Sequence, residues 1–265
     1  MKKRHLVYAI ALIVGMGACA ASAKKQAEAK PDVWKSYNVG TVLFEDKASE
    51  TKGSDIYHRI IPDAESYIKE QARTVLATLY NSPEDSITPV NKIHYTLEDI
   101  EGISAKGGGN GDVTIFYSTR HIEKSFAEND TAKLFFETRG VLLHELTHAY
   151  QLEPQGIGSY GTNRVFWAFI EGMADAVRVA NGGFDGPNAR PKGGNYMDGY
   201  RTAGYFFVWL RDNKDPEFLR KFNRSTLEVV PWSFDGAIKH ILGNEYNIDE
   251  LWHEYQVAVG DVQAQ

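Results

Sequence analysis

The spacing of apolar residues along the chain predicts strands first and helices afterwards. Alternating or β-branched stretches indicate strands at 38–45, 92–97 and 112–118. Between the first two, an apolar stripe that follows Pro62 predicts a helix ending near Asn81. Strands and one amphipathic helix followed by helices alone predict an α+β fold, with a cleft between the two halves.

The second half of the chain is predicted to be mostly helical. The predicted order is a helix from Asp130 or Thr131 to about Gln151, a loop at 153–163, a helix at 165–179, a loop at 181–195, and helices at 198–211, 216–222, 233–242 and 248–259. Asn247 and Glu250 are placed as a capping box for the last of these helices. We expect the long loop at 181–195 to border the cleft.

A glycine cluster at 107–111 lies between two predicted strands. It lacks the Lys-Ser/Thr end of a phosphate-binding loop, and it leads into a strand instead of a helix. The cluster therefore predicts a flexible turn between strands.

The N-terminus has the pattern of an export signal. Basic residues at 2–4 precede an apolar run at 6–18 and small residues at 21–23. The run is too short and too soon followed by lysines for a membrane span. We expect a signal peptide at 1–23 and no transmembrane segment.

The single cysteine of the chain, Cys19, lies within this leader. Cleavage before Cys19 would give a lipid-anchored protein, whereas cleavage after Ala23 would discard the cysteine, and the weak lipoprotein box favours the second. Either way the exported fold has no internal disulfide, and we expect a secreted or periplasmic protein of the bacterial envelope. A flexible spacer at 24–36 and a single domain with two lobes at 37–265 follow.

Composition and charge indicate a globular protein that does not bind nucleic acid. The chain is 43% hydrophobic and 24% charged, as in an ordinary globular protein. Its formal net charge of −6 becomes −9 without residues 1–23, because that segment holds three basic residues and no acidic ones. A nucleic acid partner is therefore not expected.

The candidate chemistry begins with a His-Glu-x-x-His pattern inside the helix that ends near Gln151. His144 and His148 lie about 40° apart on one helical face, so both imidazoles can reach one metal ion. Glu145 lies beside that pair without pointing at the ion. This position suits a general base acting on metal-bound water.

Two histidines do not complete a catalytic zinc site, which needs three protein ligands and one open position. The next predicted helix offers Glu171 and Asp175, one turn apart. Glu171 is the candidate third ligand. Asp175 can accept the remaining N–H of a ligand histidine and fix the direction of its ring.

Three segments that contain these residues, at 144–151, 170–178 and 198–200, resemble the hallmark segments of the plant-type basic secretory protein family, which has bacterial members. The stretch at 102–117 is similar to the strand that precedes the motif helix in that family. The resemblance covers about 38–259 and implies a zincin-like fold with a helix-borne Zn²⁺ site. The chain departs from the family in being acidic, so no role that depends on positive charge is carried over.

Resemblance and spacing agree on His144, His148 and Glu171 as Zn²⁺ ligands and on Glu145 as the general base. Tyr200, in the third segment, is our candidate hydrogen-bond donor to the oxyanion that forms during attack on the scissile carbonyl. The alternative is that Tyr200 is only an aromatic residue of the core or the cleft wall. By analogy with zincin-like folds, we expect the strand at 112–118 to be the edge strand that pairs with an extended substrate.

The leading hypothesis is an exported zinc-dependent, gluzincin-like metallopeptidase that acts on protein or peptide substrates as an endopeptidase. The main alternative is a non-catalytic binding protein that keeps the same scaffold and recognises a glycan or protein at the cell surface. A third hypothesis is a zinc hydrolase of the same geometry that acts on a glycopeptide or a non-peptide amide.

Overall fold

The computed structural model describes residues 32–125 and 130–263. The predicted signal peptide, Cys19 and most of the predicted spacer lie outside these residues. Trp34, at the end of the predicted spacer, is buried and packs edge-on against Tyr37, so the folded unit begins before residue 37. Within the described ranges, every helix is too short or too polar to cross a bilayer.

In the part of the chain that the structure describes, four strands form one mixed sheet, in the order β1-β2-β4-β3. They are β1 (Thr41–Asp46), β2 (Lys92–Glu98), β3 (Ser104–Gly109) and β4 (Asp112–Ser118). β1, β2 and β4 run parallel to one another, whereas β3 pairs with β4 in antiparallel fashion. The expectation that β4 is the edge strand is wrong, because β3 covers its outer side and is itself the edge.

The glycine cluster is divided between a strand and a turn. Gly107–Gly109 belong to β3, where ladder pairing with β4 overrides the flexibility of glycine. Only Asn110 and Gly111 form the turn, with φ of 54° and 83°. An Asn-Gly pair in the left-handed region is typical of a tight hairpin turn. The predicted turn is therefore confirmed in place, but it is shorter than expected.

The helices confirm the predicted α+β class. The described residues contain α1 (Lys52–Ile60), α2 (Ala64–Leu79), α3 (Thr119–Ser125), α4 (Thr131–Tyr150), α5 (Arg164–Ala180), α6 (Tyr200–Asn213), α7 (Phe218–Glu228), α8 (Phe234–Leu242) and α9 (Ile248–Ala258). The sequence patterns did not predict α1 and α3, which are short helices next to strand ends. α7 also continues six residues beyond its predicted end at 222.

α4 and α5 occupy the centre of the fold. α4 contacts α2, α5 and β3, and α5 packs along α6. Gly172 and Gly204 permit this close packing: a Cβ at Gly204 would lie 2.9 Å from the carbonyl carbon of Asp175, and one at Gly172 would lie 2.7 Å from the Cβ of Ala203. The tight contact between α5 and α6 fixes the position of α5 and therefore the positions of its acidic residues, Glu171 and Asp175.

Candidate metal centre

α4 carries the His-Glu-x-x-His pattern at its C-terminal end. The Asp130 side chain caps the other end by accepting from the Lys133 backbone N–H at 2.8 Å. The rings of His144 and His148 lie 4.7 Å apart and perpendicular, and their Nε2 atoms are 3.0 Å apart. The structure therefore confirms that both imidazoles point to one place.

α5 brings Glu171 to the same place. The Asn163 side chain caps this helix by accepting from two backbone N–H groups. Glu171 Oε2 lies 3.3 Å from His144 Nε2 and 3.6 Å from His148 Nε2. The side chain is buried, and Oε2 accepts no hydrogen bond of good geometry from any described residue.

Three ligand atoms from His144, His148 and Glu171 thus lie within 4.8 Å of one another, the only such group among the described residues. Two imidazole nitrogens and a carboxylate oxygen are the donor set of a catalytic zinc site. A buried carboxylate oxygen without a hydrogen-bond donor is costly unless a cation stabilises it. The donor set, and an Oε2 that the two histidines approach and that forms no hydrogen bond with any described residue, fit a divalent metal ion such as Zn²⁺.

Asp175 orients His144, as the spacing on α5 predicted. Its Oδ1 lies 2.7 Å from His144 Nδ1 and directs Nε2 toward the cluster. Burial lowers the pKa of His144, but the contacts with Asp175 and Glu171 outweigh burial and raise it to about 10. Burial raises the pKa of Glu171, but its contacts with His144 and His148 outweigh burial and hold it far below its usual range. The carboxylates of the site therefore stabilise a positive charge at His144.

Gln151 contacts the second histidine and was not predicted from the sequence. Its Nε2 lies 2.8 Å from His148 Nδ1, and the whole side chain is buried. An amide nitrogen can only donate, whereas a histidine that ligates through Nε2 carries its proton on Nδ1. Turning the amide by 180° brings Oε1, which has no partner among the described residues, to Nδ1 as the acceptor, and in that orientation Gln151 holds His148 as Asp175 holds His144. Its spacing of three residues from His148 on one helical face was the signal that could have identified it.

Tyr160 is a further residue that sequence reasoning missed. It lies in the loop between α4 and α5 and donates from its hydroxyl to Glu171 Oε1 at 2.6 Å. Burial and the adjacent Glu171 carboxylate raise the pKa of this phenol, so it remains a donor at neutral pH. Because Oε1 is held by Tyr160, Oε2 faces the two histidines.

Tyr200 lies over the same cluster at the first turn of α6. Its ring is nearly parallel to that of His144, with centroids 6.1 Å apart, and it packs edge-on against Trp167. Gly199 allows this approach: its φ is +66°, and a Cβ there would lie 2.8 Å from the Trp167 ring. The structure thus brings Tyr200 to the cleft wall beside a candidate ligand.

Glu145 lies in the same cleft and keeps a carboxylate without a partner. It is only 6% exposed, yet no other described side chain or backbone group forms a hydrogen bond or ion pair with it. A carboxylate to which no described group donates keeps its acceptor capacity. This is the environment that a general base requires.

The cleft around these residues has a volume of about 800 Å³. α4 and α5 form its floor, Ser104–Lys106 of β3 form one wall, and Phe184 of the long loop lines another part. The loop at 181–195 therefore borders the cleft, as the sequence analysis expected. Arg178 and Glu137, joined at 2.6 Å, lie at one end.

Comparisons with known proteins identify a family. No curated protein and no solved structure matches the chain. A family model described as "Peptidase of plants and bacteria" matches residues 39–255, which include all four strands and every candidate site residue. Because that match covers most of the chain, the protein belongs to the BSP family, the peptidases of plants and bacteria, as the resemblance predicted.

Proposed function

We propose that the protein is an exported zinc-dependent metallopeptidase that hydrolyses peptide bonds with a metal-activated water. The observation that supports this proposal is the convergence of His144, His148 and Glu171 in an open cleft, next to the unpartnered Glu145 carboxylate. A structural site would be closed by a fourth protein ligand and would not require Glu145.

His144, His148 and Glu171 would hold the ion. When bound, zinc lowers the pKa of its water toward 7 and polarises the scissile carbonyl. Asp175 keeps the proton of His144 on Nδ1, so that Nε2 is free to ligate. Tyr160 holds Glu171 through Oε1 and leaves Oε2 available.

Glu145 acts as the general base in this proposal. It accepts the proton of the attacking water and later transfers it to the leaving amine. Tyr200 is our oxyanion donor, because its ring lies over His144 while the Tyr160 hydroxyl is already engaged with Glu171. A protonated phenol is the form that this role needs, and burial together with nearby carboxylates raises the pKa of Tyr200.

An extended substrate would align along β3. This strand is the edge of the sheet on the side of the cleft, and Ser104, Ala105 and Lys106 line the cleft. The outer backbone groups of an edge strand can pair with a peptide whatever its side chains are. In this proposal β3, and not β4, pairs with the substrate.

A non-catalytic scaffold protein that recognises a glycan or protein remains the second candidate. The large cleft is compatible with such binding, but the buried and unpartnered Glu145 has no function in it. A glycopeptide substrate would use the same residues as a plain peptide. Export and any lipid anchor rest on the predicted leader at 1–23.

The proposal is tested by measuring zinc content and peptide-library cleavage for the wild type and Glu145→Gln. We expect one zinc per chain in both and a rate that is lower by roughly 10²–10⁴-fold in the variant. Glu65→Gln, the same substitution on the exposed face of α2, is the control and should retain both properties. Undiminished cleavage by Glu145→Gln would refute the mechanism, and zinc with no cleavage in any variant would favour the scaffold protein.

A further inference from the structure

Two arginines meet on one aromatic ring at an end of the cleft. The guanidinium carbon of Arg178 lies 3.8 Å from the ring centroid of Phe184, and that of Arg201 lies 5.4 Å from it. All three residues line the cleft. Both distances are within the range of cation–π attraction.

The two arginines differ in their charge partners. Arg178 is paired with Glu137 at 2.6 Å, and Glu137 also contacts His121 at 3.2 Å. Arg201 donates to the backbone carbonyl of Ala189 at 3.2 Å and has no carboxylate partner in the part of the chain that the structure describes. Arg201 therefore contributes to this end of the cleft a positive charge that is not paired with any described carboxylate.

The ring between the arginines is held in a strained conformation. Phe184 has φ of +56°, which is rare for a bulky residue. The hydroxyl of Tyr205 donates to the Phe184 carbonyl, and the stacked Arg178 covers the ring. Strain that the surrounding contacts maintain is typical of ligand-binding segments.

The position of this cluster relative to the metal centre follows from helix geometry. Glu137 precedes His144 by seven residues on α4, and Arg178 follows Glu171 by seven residues on α5. Two helical turns correspond to about 10 Å. An extended peptide advances about 3.3 Å per residue, so the cluster lies about three residues away from the scissile bond.

The opposite end of the cleft has the other sign of charge. Glu153 lines the cleft just beyond the C-terminus of α4, and no described cation pairs with it. The cleft thus has a cationic end, where Arg178 and Arg201 lie, and an acidic end near Glu153. A bound peptide would meet different charges at its two ends.

We propose that the cluster of Arg178, Phe184 and Arg201 is a substrate subsite that selects an acidic side chain about three residues from the scissile bond. Arg201 is the specificity-determining residue, since its guanidinium can form a charge-assisted pair with a carboxylate. This inference rests on the proposed function and adds the class of substrate.

The test uses peptides that differ only in Glu or Gln, moved stepwise from one to four residues on either side of the cleaved bond. In the wild type, we expect kcat/KM to be roughly tenfold higher for Glu than for Gln when the residue lies about three positions away on one side. In Arg201→Gln the ratio should fall to about one. The preference should also weaken at high salt.

Arg164→Gln is a matched control. Arg164 also stacks on an aromatic ring, at 3.8 Å from the centroid of Trp167, and it donates to the carbonyl of Met197, but it does not line the cleft. This variant should keep the wild-type Glu/Gln ratio. A wild type that cleaves Glu and Gln peptides equally at every position would overturn the inference, and so would an unchanged ratio in Arg201→Gln.

A binding measurement separates this inference from the proposed function. The dissociation constants of the Glu and Gln peptides are measured by fluorescence anisotropy for Glu145→Gln with and without Arg201→Gln. A preference for Glu that requires Arg201 supports the subsite even if no variant cleaves peptides, in which case only the proposed function fails. Equal affinities for both peptides would overturn the subsite.

Discussion

Replacing Gln151 with leucine removes the carboxamide that lies 2.8 Å from His148 Nδ1 and keeps a side chain of similar size. The backbone cap of α4 is retained, because it is the Gln151 N–H that donates to the Thr147 carbonyl. The expected defect is therefore confined to the orientation and tautomer of His148. A ligand histidine without its hydrogen-bond partner loses about 10–100-fold in metal affinity, or about 1.4–2.7 kcal/mol.

The assay is a zinc titration in competition with a chromophoric chelator of known affinity. Gln71→Leu is the control, because Gln71 on α2 is an equally buried glutamine. It accepts a hydrogen bond from Arg139 Nε at 3.0 Å and contacts no candidate ligand. Both variants should lose some stability without metal, but only Gln151→Leu should bind zinc more weakly. If its dissociation constant stays within twofold of the wild type, Gln151 does not orient His148.

Two further predictions concern proton release and helix packing. In the metal-free protein the pKa of His144 is raised from 6.5 to about 10. Protonated His144 therefore stabilises the metal-free fold fully below pH 6.5, and this stabilisation is lost as the pH rises through 10. Zinc binding at pH 7–8 should therefore release about one proton, which calorimetry in buffers of different ionisation enthalpy measures, and release of none would contradict the assignment. Gly204→Ala should lower the free energy of unfolding by about 1–3 kcal/mol, measured with denaturant, because its Cβ would overlap the backbone of α5. A variant as stable as the wild type would show that α5 and α6 can separate without cost.

The sequence predicted the helices that carry the site because their patterns are local. The capping residue Asp130, the apolar stripe and the spacing of His144 and His148 all act within one helix, so α4 was placed to within one residue at each end. Glu171 and Asp175 were found because one helical turn separates them on α5. Such periodic signals need no knowledge of tertiary contacts.

The features that sequence reasoning missed depend on contacts between distant segments. β3 contains three consecutive glycines and becomes a strand only by pairing with β4. Tyr160 lies in a loop, where no period shows that its hydroxyl reaches Glu171. The cluster on Phe184 joins α5, α6 and the long loop, so its residues show no common spacing in the sequence.

The most direct measurement for the whole account is X-ray absorption at the zinc edge on the metal-loaded protein, for the wild type and Glu171→Gln. We expect two imidazole nitrogens and one carboxylate oxygen at about 2.0–2.2 Å, with a water-derived oxygen as the remaining ligand, and a changed oxygen shell in the variant. A zinc ion that four protein ligands enclose, or a coordination shell that Glu171→Gln leaves unchanged, would contradict the proposed metal centre.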